Sequence, residues 1–325
     1  MAEVQHEPQR DVGATYGVAA TDAAADRAVG APRSPENERE VGARSQLQLA
    51  ARRFIRHRLA LVGLAIFVLL TAGAFVVPLF WKWTYSAITP DYATSPSASH
   101  PFGTDTIGHD LFAQVLTATQ TSLKTAFIVT VIATIVGTVV GAVAGYYGKL
   151  ADAVLMRFTD LVLTVPLLAV LLVLANTLSN ANYFWIALVV AAVLWTYLAR
   201  LVRGTFLSLR EHDYIVAARA IGARDRRIIF RHMIPNAAGP IVVNATLTVA
   251  NAILIESALS FLGLGIQPPE VSLGSLINSG QGAATTEWWL FAFPSAVLVL
   301  IILAVNFVGD GLRDALDPRQ RRVRA

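Results

Sequence analysis

Residues 59–80 are 22 consecutive positions without an ionisable side chain, reading LALVGLAIFVLLTAGAFVVPLF. A helix over them is about 33 Å long, enough to cross hydrocarbon about 30 Å thick. In lipid every backbone polar group must be satisfied within the segment, so such a run is expected to be a helix. Further apolar runs follow at 123–146, 161–178, 183–198 and 237–262. A last one begins after Trp288 and Trp289 and ends near Val308. The expected fold class is all-α, a polytopic membrane bundle of six transmembrane helices.

Composition points the same way. Of 325 residues, 55% are hydrophobic and 15% charged, where a soluble domain carries about 25% charge. The absence of cysteine excludes disulfides, a thiol nucleophile and a cysteine-ligated metal. The pI near 9.6 is high, but the arginines cluster beside the apolar runs. The positive-inside bias accounts for them, and no nucleic-acid partner is expected.

That bias also orients the chain. Arg52, Arg53, Arg56 and Arg58 precede the first run, and Arg313, Arg319, Arg321, Arg322 and Arg324 follow the last. Residues 200–235 hold eight arginines against Glu211, Asp213 and Asp225. A charge at mid-membrane costs roughly 2.5–3.5 kcal/mol on insertion scales, so this segment is expected in water. Outer segments 81–122, 179–182 and 263–287 nearly lack positive charge. Both termini are therefore expected in the cytoplasm, with the chain spanning the lipid bilayer of the cell membrane. Four regions follow: a disordered tail at 1–50, a first span with an outer loop at 51–122, a five-span core at 123–309 and a tail at 310–325. Residues 146–160 read as a short inner connection, and Pro166 as a kink in the third span.

Several patterns stand out. Residues 214–221 read as a short helix with small side chains at Ala217, Ala218 and Ala220. Gly222 supplies a turn. A second helical piece, 225–233, is expected to stop before Pro235. Small side chains let another surface approach closely, so this hairpin is shaped to be gripped. Gly137, Gly141 and Gly145 fall four apart on one helix face and form a groove for another helix. In the outer loop, Gly103, Thr104, Asp105, Gly108, His109 and Asp110 read as tight turns, with Asp110 capping the next helix. His109 has no second ligand at helical spacing, so no metal is expected. The fifth run carries Asn244, Asn251, Glu256, Ser257 and Ser260. Polar residues inside a span usually face a bundle interior or a wet cavity. Glu256 lies about 29 Å along a helix begun at Ala237, near the outer boundary. Two readings stay open. Glu256 caps the turn after the span, or with Asn251, Ser257 and Ser260 it lines the outer mouth of a pathway.

Val216-Ala217-Ala218, then Gly222 and Ile234-Pro235, resemble the EAA loop of ABC-transporter permeases. Val216 stands for its glutamate, His232 for its isoleucine and Ile234 for its leucine. GTDTIGHD resembles an outer-loop signature of the peptide-type permeases, with His109 for an arginine. ESALSFLGLG, followed by Pro268-Pro269, looks like the dipeptide/oligopeptide branch. By this resemblance, over about residues 52–318, the chain is identified as the second permease subunit of such an importer.

The resemblance implies a type I ABC importer permease fold and no enzymatic activity. It implies a coupling loop at 211–235, with Tyr214, Val216, Ala217, Ala218, Arg219, Gly222, Ile234 and Pro235. It implies as partners a second permease, two cytoplasmic ATPases and an external solute-binding protein. The chain has no G-x4-G-K-[ST] loop, so ATP and Mg belong to the ATPases and no cofactor is expected here. The same branch imports dipeptides, oligopeptides, nickel chelates, glutathione and some oligosaccharides, and these alternatives stay open. An ion-coupled secondary transporter would need several mid-membrane ionisable residues, whereas Glu256 is nearly alone. The polar fifth run argues against a mere membrane scaffold.

Overall fold

The computed structural model describes residues 46–166, 169, 173 and 182–316. The chain divides between Gln46 and Leu47 into two units, and the second is the one described. Most of the expected third span, the outer turn at 179–181 and the tails at 1–45 and 317–325 lie outside the described residues.

Helix α1, Gln46–Phe54, leads through a turn to α2, Arg58–Val76. His57 caps α2, its Nδ1 accepting from Ala60 N at 3.1 Å. A 3-10 turn, Val77–Leu79, ends this span at Pro78. Helix α3 runs Leu111–Tyr147, and Asp110 caps it by accepting from Ala113 N at 2.7 Å. It begins 12 residues before the expected start of the second span and crosses the boundary expected at 122. Buried Gln114, Thr119, Thr121, Ser122 and Thr125 make its first turns too polar to read as membrane from sequence.

The connection expected at 146–160 is helical instead. Gly148, at φ +61, is the single residue between α3 and α4, Lys149–Thr164. Helix α5, Tyr183–Arg210, starts at Asn182, whose Oδ1 accepts from Phe184 N and Trp185 N. It runs past the span end expected at Leu198, through Arg200, Arg203 and Arg210. Its 28 residues make about 42 Å, longer than the hydrocarbon is thick. The arginines thus occupy a helix that outruns the membrane, rather than a separate loop.

The hairpin is α6, Asp213–Ala220, then Gly222, then α7, Asp225–Ile228. The second piece does not stop before Pro235. A π-helical turn, Ile229–Met233, carries it into α8, Ile234–Phe261. Ile234 N–H reaches Ile229 O, five residues back. Pro235 sits in the first turn of α8, where a missing N–H is tolerated. Two further helices follow among the described residues. Helix α9, Leu273–Gln281, occupies the segment read as an outer loop, and α10, Trp288–Leu316, crosses the boundary expected at 309.

Five helices among the described residues are long and apolar enough to cross a membrane. The largest core cluster gathers Leu111, Val129, Ala187, Ala191, Ile253 and Leu273, with others from α3, α5, α8, α9 and α10. A second cluster lies at the arginine-rich end, around Tyr146, Phe206, Ile215, Ile228 and Met233. The most extensive helix contact is between α3 and α5. Both run in the same direction: Gly137 faces Trp195, Gly141 faces Ala199, and Gly145 faces Arg203 and Phe206.

Candidate coupling site

The hairpin stands on a built base. Ile215 and Ala218 point into the second core cluster, 0% and 9% exposed. Ala218 is thus part of the base, and the alanine face expected to be presented is reduced to Ala217 and Ala220, which are exposed. Helical spacing explains the split, since residues 215 and 218 share a face that 217 does not. Around Ala217 the outer surface carries exposed Tyr214, Val216 and Ile221. Gly222, at φ +82, turns the chain, and nothing lies within 4 Å of the place a Cβ would take. Ile234 is half-buried and Pro235 exposed where the π turn meets α8.

Asp225 and Arg219 fasten this base to Tyr146 of α3, and neither Tyr146 nor Asp225 is among the residues expected at the coupling loop. Tyr146 donates its hydroxyl to Asp225 Oδ1 at 2.7 Å. The guanidinium of Arg219 lies over the Tyr146 ring, 5.2 Å from its centroid, a cation–π geometry. Behind it, Arg203 of α5 forms a fork on Asp152 of α4, with Nη2 2.6 Å from Oδ2 and Nε on Oδ1. The Arg203 guanidinium holds the Asp152 carboxyl below the usual carboxylate range, against the opposing effect of burial. Arg200 reaches Asp160 Oδ1 at 2.6 Å. The arginines at this end of α5 thus brace α4.

At the other end of the molecule the outer-loop motif forms a tight knot. Asp105 Oδ1 accepts from Ile107 N at 2.9 Å and His109 N at 2.8 Å, and its Oδ2 is 2.8 Å from His109 Nδ1. Asp110 also accepts from Trp81 Nε1 and lies 2.6 Å from buried His100 Nδ1. Gly103 and Gly108 have φ of +80 and +98. A Cβ at Gly103 would meet the Trp289 ring at 2.8 Å, and Trp289 Nε1 donates to Thr104 O at 3.2 Å. The motif therefore seats the loop on α3 and α10. Asp105, four positions before His109, is thus a partner that the expectation for His109 overlooked, but among the described residues no group of three such side chains is placed to hold a metal ion.

The four residues read as pathway candidates separate. Asn251 is exposed on α8, whereas Glu256, Ser257 and Ser260 are buried at 0%, 3% and 3% exposure. Glu256 does not sit at an open boundary. Ser122 Oγ of α3 and Ser260 Oγ each donate to it at 2.8 Å, Ser257 Oγ donates at 3.4 Å, and Ser272 lies beside it. Ser122 was invisible as a partner because it lies 134 positions away. Helix α9 did carry a signal, since Ser272 followed by Ser275, with Leu273, Leu276 and Ile277, is an N-cap before an apolar face.

Comparison with known proteins bears on most of the chain. Residues 137–322 match the family described as the binding-protein-dependent transport system inner membrane component. Residues 45–99 match the N-terminal TM domain of oligopeptide transport permease C. The chain belongs to this family of transport permeases. It is a multi-pass membrane permease subunit, and subunits of this family are not themselves enzymes. The oligopeptide transport system permease protein OppC of Mycobacterium tuberculosis (strain ATCC 25618 / H37Rv) is 43% identical over 282 residues, 86% of this chain and 97% of that one. A putative peptide permease of Brucella suis is 42% identical over 274 residues, covering 83% and 90%. OppC of Bacillus subtilis (strain 168) is 36% identical over 271 residues, covering 83% and 88%. The inward-facing MetNI methionine ABC transporter shares the permease fold, with a TM-score of 0.53 at 18% identity, over 64% of this chain and 98% of that one.

Proposed function

We propose that this permease forms half of the translocation pathway of an ATP-driven importer of oligopeptides or dipeptides, and that it receives the ATPase through the 211–235 hairpin. The observation that carries the reading is the hairpin itself. It presents exposed Tyr214, Val216, Ala217 and Ile221 around an unobstructed Gly222, on a base fixed by Ile215, Tyr146 and Asp225. A rigid base under an exposed apolar tip suits a surface that must transmit a push. Peptides are the proposed cargo because the relatives of similar length are named for them.

The arginine-rich end, with Arg58, Arg210 and Arg313, lies in the cytoplasm, and both termini are on that side. The partners are a second permease subunit, two ATPase subunits that bind ATP and Mg, and an external solute-binding protein. Two neighbouring helices that cross a bilayer in the same direction need a crossing between them. The parallel packing of α3 and α5 thus supports a six-span topology, with the third span where the sequence offers one. Exposed Asn251 on α8 faces the pathway or the second permease.

The test is crosslinking. With Ala217→Cys in the otherwise cysteine-free chain, the purified complex should crosslink to the ATPase, and the yield should change when ATP and vanadate are added. A hairpin that gives no crosslink in a transporting complex would refute the coupling role.

A further inference from the structure

The cluster around Glu256 has no place in that account as a pathway lining, because it is closed to solvent. Its geometry serves another purpose. The carboxylate takes hydroxyls from two helices, Ser122 of α3 and Ser257 and Ser260 of α8, and Ser272, the N-cap of α9, lies beside it. No Lys, Arg or His is paired with it among the described residues. A buried carboxylate is costly unless its oxygens are hydrogen-bonded, so the three hydroxyls are needed where they are.

Ser260 Oγ, which donates to the carboxylate, also accepts from Ile266 N at 3.2 Å in the connection to α9, and Ser272 beside the carboxylate caps α9. Ser275 N donates to Ser272 Oγ at 3.3 Å, and Ser272 N donates back to Ser275 Oγ at 2.9 Å. The backbones around this point touch. A Cβ at Gly274 of α9 would meet Ser257 O at 2.1 Å, and one at Gly265 would meet Ser260 Oγ at 2.1 Å. Asn278 Nδ2 of α9 donates to Phe261 O, the last residue of α8. From Asp225 to Phe261 the chain is continuously helical through the π turn, 37 residues in all, about 55 Å at 1.5 Å per residue. The hairpin and the Glu256 cluster thus lie at opposite ends of one continuous helical stretch, which also holds Pro240.

We propose that Glu256 is a positioning residue that fastens α9 to α3 and α8, so that displacement of α8 at the hairpin end carries α9 with it. The fastening stands on the contacts above. Its use in transport rests on the coupling role proposed for the hairpin.

Two measurements on the reconstituted complex separate these parts. The first concerns the fastening and needs no nucleotide. Ile277→Cys, buried on α9, should react slowly with a membrane-impermeant maleimide. With Glu256→Gln, or Ser272→Ala as the milder change, it should react several-fold faster. An unchanged rate in both variants overturns the proposal. The second concerns transmission. Ser279→Cys, exposed on α9, should change its labelling rate when ATP and vanadate trap the complex. That change should disappear in Glu256→Gln while the Ala217→Cys crosslink to the ATPase still responds to nucleotide. If the rate at position 279 never responds although the crosslink does, or still responds in Glu256→Gln, the proposal is wrong. If the crosslink itself is absent, the coupling role fails and the Ile277→Cys rates alone decide the fastening.

Discussion

At the scale of single residues, Gly222 and Asp152 make opposite kinds of prediction. Gly222 has open space around it and a left-handed backbone at φ +82. A side chain there meets no neighbour, so any penalty is conformational, about 1–2 kcal/mol for an ordinary residue and more for a β-branched one. Gly222→Val should leave the protein in the membrane and sharply reduce uptake, whereas Gly222→Asn should retain much of it, since asparagine tolerates that conformation. Equal uptake by both variants would mean the turn is not what matters. Asp152 acts through charge. Its carboxyl is held low by Arg203, so the pair contributes stability above the unfolded carboxylate pKa of about 4. That contribution is lost as pH falls through the lower folded value. Asp152→Asn should cost about 1 kcal/mol at neutral pH for such a half-exposed pair. Thermal unfolding of variant and parent should begin to converge as the pH falls below about 4 and coincide only below the lowered value of the folded carboxyl.

At the scale of helices, the contact of α3 with α5 is set by three glycines. A Cβ at Gly141 would lie 2.4 Å from Ala199 O and 2.8 Å from Val202 Cβ. Even Gly141→Ala must push two backbones apart, at a cost of about 1–3 kcal/mol. It should lower the melting temperature of the detergent-solubilised subunit, and Gly141→Leu should abolish its accumulation. Normal yield of Gly141→Leu would show that the helices tolerate separation.

The four-residue spacing of these glycines was legible in the sequence because it follows from helix geometry alone. The same is true of the apolar runs and of Asp110 as a cap. Helix ends were less legible, because apolarity marks where lipid stops and not where hydrogen bonding stops. Helix α5 continues through Arg210 for that reason. The role of Glu256 was not legible at all. A carboxylate near a span end has the same local sequence whether it faces water or, as here, a hydroxyl from another helix.

At the scale of the whole subunit, the arginine distribution gives a direct test of orientation. With no native cysteine, Ser99→Cys and Ser279→Cys should label from outside intact cells with an impermeant reagent, and Ser208→Cys should label only after permeabilisation. All three positions are exposed, so a reversed pattern would reflect orientation and not burial. The π turn has a consequence at this scale too. Ile229–Met233 inserts a wide turn between the hairpin and α8, and such a turn differs from an α turn by about one residue. Deleting one residue there would close the wide turn to an α turn, which sweeps nearly the same angle with one residue fewer, so the hairpin would keep its facing, whereas a deletion within the α-helical part of α8 would rotate it by roughly 100°. The wide turn is therefore a place where a residue can be lost or kept without turning the part proposed to meet the ATPase away from the part that meets the membrane.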